Sequence, residues 1–139
     1  MKRAIEVAKS AKGEIPVGAI IVKDGKIIAS ASNQKEKNND VTAHAEILAI
    51  REAEQKLNRW RLDDCEMYVT LEPCPMCAWA IVSARIKTVW FGSYDRNYGA
   101  FGSVVDMKKL ANSKINVYGG IMEAECDNIL EEYFKELRK

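Results

Sequence analysis

No apolar run in this 139-residue chain approaches the roughly 20 residues that a membrane span needs, which excludes a helical membrane protein. Charge of one sign is missing too. Basic residues number 21 and acidic residues 20, a net charge of +1. Bulk charge therefore announces no polyanionic partner, although a local basic patch is enough to bind one. The last 17 residues hold six acids and three bases, so the tail as a whole is not that patch. Internal repeats and low-complexity linkers are absent. The opening Met1-Lys2-Arg3-Ala4-Ile5-Glu6 puts an acid where a signal peptide has its apolar stretch, so no export and a cytoplasmic location are expected. Cysteine is limited to Cys65, Cys74, Cys77 and Cys126. Without export the thiols stay reduced, which leaves metal ligation, catalysis or burial as their uses. Histidine occurs once, as His44.

What is present is a globular balance of 47% apolar and 29% charged residues. That balance excludes a disordered chain, a collagen-like chain and a disulfide scaffold. The length suits one domain over residues 1–139, with enough chain to bury a core unaided.

Ile5, Ala8 and Ala11 at helical spacing predict a short helix over 2–11, ended by Gly13. Apolar runs at 17–22 and 27–31 flank Asp24-Gly25, a hairpin signal. Residues 33–40 read as a polar loop. Thr42 is placed to cap a helix over 43–57, with Ala45, Leu48, Ala49 and Ala53 as its apolar stripe. A strand is predicted at 66–71. Pro75 suits the first turn of a helix reaching 84. Then follow a strand at 87–91, a loop at 94–102, a short helix at 104–110, a strand at 115–118 and a terminal helix at 123–137. Helices alternating with five strands imply a mixed sheet covered on both faces.

His44 is followed two positions later by Glu46, and thirty positions on comes Cys74 in Glu72-Pro73-Cys74-Pro75-Met76-Cys77. One imidazole and two thiolates make three strong zinc ligands, and three ligands with an open position describe a catalytic rather than a structural site. Cysteines three apart at a helix start present both sulfurs to one side, where the helix dipole favours thiolate. Residues two apart, such as His44 and Glu46, diverge on a helix. They serve one metal only if it lies off the helix end. The same residues also fit a redox Cys-x-x-Cys pair, or half of a structural zinc site completed by Cys65 and Cys126.

His-x-Glu followed by Pro-Cys-x-x-Cys is the pattern of the zinc-dependent base deaminases. The resemblance extends to Ile15-Pro16-Val17-Gly18-Ala19, Thr42-Ala43-His44-Ala45-Glu46-Ile47 and Tyr68-Val69-Thr70-Leu71-Glu72-Pro73-Cys74-Pro75-Met76-Cys77-Ala78. It continues through Gly99-Ala100-Phe101-Gly102-Ser103 and the tail from Glu125-Cys126 to Tyr133-Phe134. These strings resemble the bacterial tRNA-specific adenosine deaminases, which convert the wobble adenosine of an anticodon to inosine. The resemblance implies a cytidine-deaminase-like three-layer α/β/α sandwich, a homodimer and one zinc per chain on His44, Cys74 and Cys77. It implies hydrolysis by zinc-bound hydroxide with Glu46 as proton shuttle. It also implies substrate contacts at Asn33, Ala45 and Asp95, Asp95 being the residue suited to a ribose hydroxyl. Arg96, Tyr98, Lys108, Lys109, Tyr133, Phe134, Arg138 and Lys139 are further candidate contacts to a tRNA anticodon stem-loop.

Three features depart from that pattern. The first helix is about one turn short. Val41 replaces a proline, and Trp79 replaces a glycine. Trp79 lies two residues after Cys77, about 200° away around the helix, and so is expected to face away from the metal. Glu72 reads as structural or solvent-facing. Free-base deaminases for guanine or cytosine share the metal motif and are the alternative reading. A non-catalytic zinc module is a further one, which has no use for Glu46.

Overall fold

The computed structural model describes residues 1–139. Its first helix, α1 (Lys2–Lys9), turns Ala4, Ile5 and Ala8 inward, and it ends two residues before the predicted limit. The seat for α1 is Gly18, the first residue of β1 (Gly18–Lys23). A Cβ at Gly18 would collide with the Ala4 carbonyl and the Ala8 backbone. The predicted hairpin to β2 (Lys26–Ser32) forms around Asp24 and Gly25. Both have positive φ, 52° and 75°, as a tight primed turn requires.

The segment read as a loop contains a single helical turn, α2 (Lys35–Asn38). Its N-terminus is capped from a distance. The Glu14 carboxylate accepts from Glu36 N at 3.1 Å and Lys37 N at 2.9 Å. Local sequence carries no trace of such a cap.

α3 (Ala45–Leu57) starts two residues later than predicted, and Thr42 does not cap it. Thr42 instead donates its N–H and hydroxyl to Asp40 Oδ1, closing a turn. The cap position is His44, with an extended backbone (φ −77°, ψ 150°). The first helical N–H, from Ala45, is satisfied by Asn33 Oδ1 at 2.8 Å. β3 (Cys65–Leu71) follows, then α4 (Pro75–Ser83) with Pro75 at its first position, where no helix bond is lost. β4 (Thr88–Ser93), α5 (Met107–Leu110), β5 (Asn116–Tyr118) and α6 (Glu123–Leu137) complete the chain. α5 is shorter than the predicted 104–110, because Asp106 caps it by accepting from Lys108 N and Lys109 N.

The strand order is β2-β1-β3-β4-β5, antiparallel from β2 to β3 and parallel from β3 to β5. α3 and α4 close one face over a core that includes Ala49, Ala53, Met67, Val69, Ile81, Val89 and Phe91. α1 and α6 close the other through Ile5, Ala8, Cys126 and Ile129. This is the expected three-layer α/β/α sandwich on a mixed five-stranded sheet. The start of β1 and the ends of β2, β3 and β4 share one edge of the sheet. That edge carries His44, Glu46, Cys74, Cys77, Asn33 and Asp95.

Gly18→Val drives a branched side chain into the α1 backbone. Overpacking of this kind costs about 1–3 kcal/mol, so the variant's urea midpoint falls measurably below the parent's. An unchanged midpoint overturns the account of how α1 is seated.

Candidate metal centre and substrate cavity

Two helices begin at this edge and face each other. His44 and Cys74 are both cap residues with extended backbone, preceding α3 and α4. Cys77 lies in the first turn of α4 and Glu46 in the first turn of α3. His44 Nδ1 is 3.4 Å from Cys77 Sγ and 3.7 Å from Cys74 Sγ. All three donor atoms lie within 4.8 Å of one another. Tetrahedral zinc with ordinary bond lengths holds its nitrogen and sulfur ligands about 3.6 Å apart. The triangle is therefore already of the size such an ion needs.

The condition set by the two-residue spacing is met: the donor triangle lies off the end of α3, with His44 outside the helix and Glu46 inside it. Cys65 and Cys126 are buried elsewhere and do not join the group. Burial pushes each of those thiols up to about 11. A closed four-ligand structural site is thus not formed.

The electrostatics favour an anionic pair of sulfurs opposite a cation. Hydrogen bonds from Cys77 and then His44 bring the Cys74 thiol down to about 4. The bond to Cys74, followed by burial, pushes Cys77 the other way. The helix N-termini add their positive ends on the same side. A dication held here would favour both sulfurs as thiolates. Beside them, burial pushes the Glu46 carboxyl up to about 7.

A cavity of about 860 Å³ opens over this group, and His44, Cys74 and Glu46 line it. Asn33 also lines it. Its amide is fixed by the bond from Ala45 N and by its own donation to Ile15 O at 3.0 Å. A primary amide has two donor and two acceptor sites, so one of each remains for a ligand. Asp95, Tyr98 and Tyr133 form another part of the wall. Ala45 is fully buried and does not line the cavity.

A family model for MafB19-like deaminases matches residues 1–138. The tRNA-specific adenosine deaminase of Bacillus subtilis is 46% identical over 143 residues, spanning 100% of this chain and 89% of that protein. This chain belongs to the tRNA-specific adenosine deaminase family. A solved structure from a study of A-to-I editing by tRNA:A34 deaminases superposes with a TM-score of 0.91. It is 43% identical and covers 94% of this chain and 97% of its own. The Bacillus subtilis guanine deaminase is a weaker match, with a TM-score of 0.64 at 35% identity over 80% of this chain and 87% of its own.

In this deaminase the remaining candidate contacts disperse. Arg96 borders a neighbouring cleft with Tyr94, Ser103 and two acids of α6. Phe134 stacks edge-on with Tyr133 at 5.2 Å, while Lys108, Lys109, Arg138 and Lys139 lie on α5 and at the C-terminal end, away from the cavity lining. Sequence reasoning missed Glu14, and of its two readings of Glu72 the structural one holds. Both are buried carboxylates that accept from backbone N–H groups, Glu14 from α2 and Glu72 from the loop at 94–103. Trp79 is 55% exposed and absent from the cavity wall, so it faces away from the donor triangle as expected.

The donor set predicts that metal analysis of the purified protein will find one zinc per chain and that Cys77→Ala will reduce it to near zero. Full zinc without Cys77 overturns the ligand set. Trp79→Ala retains zinc and the parent's choice of base, because the indole lies outside the cavity. A change in which base is deaminated places it in the pocket instead.

Proposed function

We propose that this chain is one deaminase domain over residues 1–139 that converts adenosine to inosine at the wobble position of a tRNA anticodon, releasing ammonia. The observation that carries the reading is Glu46. It is a buried carboxylate facing the same cavity as His44 and Cys74, in the first turn of α3 and beside Cys77. A zinc-binding module has no use for a carboxylate there. His44, Cys74 and Cys77 would hold zinc, whose chemistry when bound is to make water a nucleophile at neutral pH.

The rest falls to the chain's own side chains. Glu46 takes one proton from the attacking water and delivers it to ring N1. Once the C6–O bond has formed it takes the second proton from the new hydroxyl and passes it to the amino group, so that the C6–N bond breaks, ammonia leaves and C6 becomes the carbonyl of inosine. Asn33 offers its free N–H and lone pair to the edge of the base. The Ala45 N–H, by holding Asn33 Oδ1, fixes that amide in place. Asp95 faces the ribose. Its Oδ1 accepts from Asn97 N and Tyr98 N, leaving Oδ2 for a hydroxyl. An anticodon loop presents its base already unstacked, which lowers the cost of flipping it by a few kcal/mol relative to duplex.

A homodimer suits the family, and the exposed Trp79 supports it. A cytoplasmic location is consistent with a tRNA substrate. No helix is long and apolar enough to cross a membrane.

Incubation with an anticodon stem-loop carrying wobble adenosine yields inosine, and fully paired RNA yields little. Turnover of free guanine with none on the stem-loop transfers the chain to the free-base reading. Glu46→Ala retains zinc and loses at least about 10²–10⁴-fold in kcat. A near-parental rate in that variant rejects the proton-shuttle role.

A further inference from the structure

Glu72 directly follows β3 and precedes the Pro73-Cys74 ligand segment. It is 2% exposed, and no lysine or arginine pairs with it. A buried carboxylate is retained only where its oxygens are satisfied. Here both are. Oε1 accepts from Asp95 N at 3.1 Å and from the Ser103 hydroxyl. Oε2 accepts from Phe101 N at 3.0 Å and Ser103 N at 3.1 Å. The segment from 94 to 103 is thus wrapped around one side chain. Gly99 packs against it, and a Cβ at that position would strike both the Glu72 carboxyl and the Asp95 carbonyl. The same segment places Asp95 and Tyr98 in the cavity wall, and the Asp95 carboxylate holds the Tyr98 N–H in turn.

The geometry points to Glu72 as the positioning residue that sets the RNA-binding wall of the cavity, acting through the Asp95 backbone. It rests on the tRNA reading above. It touches neither the reacting atoms nor the metal ligands' donor atoms. Its effect therefore falls on KM for the stem-loop and leaves kcat and zinc content in place.

Glu72→Gln isolates one bond. The amide oxygen faces Phe101 N and Ser103 N, which are fixed donors. The amide NH₂ then faces the Ser103 hydroxyl, which can rotate to accept, and Asp95 N, which cannot. Only the bond to Asp95 is lost, and an unsatisfied buried group of this kind changes an equilibrium by about tenfold. The expected result is a KM for the stem-loop about tenfold above the parent's, with kcat within about threefold and zinc at one per chain. In the double variant with Asp95→Ala, KM equals that of Asp95→Ala alone, because both changes act on one contact. Gly99→Ala displaces the same segment with Glu72 intact and also raises KM at unchanged zinc, which keeps the test open where Glu72→Gln does not fold. Additive losses in the double variant, a fall in kcat at unchanged KM, loss of zinc, or parental KM in Gly99→Ala each overturn the assignment. A parent protein that fails to edit the stem-loop rejects the tRNA reading instead, so the two failures are distinct.

Discussion

The convergence of two helix N-termini on one edge of the sheet is the constraint from which the rest of the site follows. Each helix starts at a residue that is not itself helical, His44 for α3 and Cys74 for α4. An extended cap residue turns its side chain off the end of the helix, and there groups one or two positions apart, which diverge on a helix face, can meet. The convergence also supplies the electrostatic reason for thiolates at this place. Two positive helix ends and an imidazole face the sulfurs before any ion is considered. The parallel pairing of β3 with β4 and the antiparallel pairing of β1 with β3 make such an edge available.

Three buried carboxylates around the cavity illustrate how environment divides labour among like groups. Glu46 lies beside the sulfurs, and burial outweighs its hydrogen bonds with its own backbone and with Cys77 and raises its carboxyl, as the proposed proton shuttle requires. Glu14 and Glu72 accept from two and four donors and are fixed. Each stitches a segment distant in sequence to the wall it serves: Glu14 the turn at 35–38, Glu72 the loop at 94–103. All three line a single cavity.

Much of this was legible in the residues. Asp24-Gly25 specified its turn, because two adjacent positive φ angles leave few alternatives. Pro75 marked the start of α4 for an equally local reason, and α6 follows its predicted limits. The donor set was legible because His44, Cys74 and Cys77 have few other joint uses. What was hidden depends on long-range partners. Thr42 looks like a cap, yet Asp40 takes its hydroxyl, while Asn33, twelve residues before Ala45, does the capping. α2 exists because Glu14 reaches it across 22 residues. Glu72 looks like any acid before a proline until the backbone of 94–103 folds onto it.

The Asp24-Gly25 turn occupies the sheet edge opposite the site, where Lys23 meets Asp64 at 3.8 Å. The molecule therefore has a working end and a handle. A fluorophore, an affinity peptide or a whole folded domain spliced between Asp24 and Gly25 would hang from the handle, with the sheet standing between it and any RNA in the cavity. Evolution and the engineer are free to write on that end of the protein without disturbing the other.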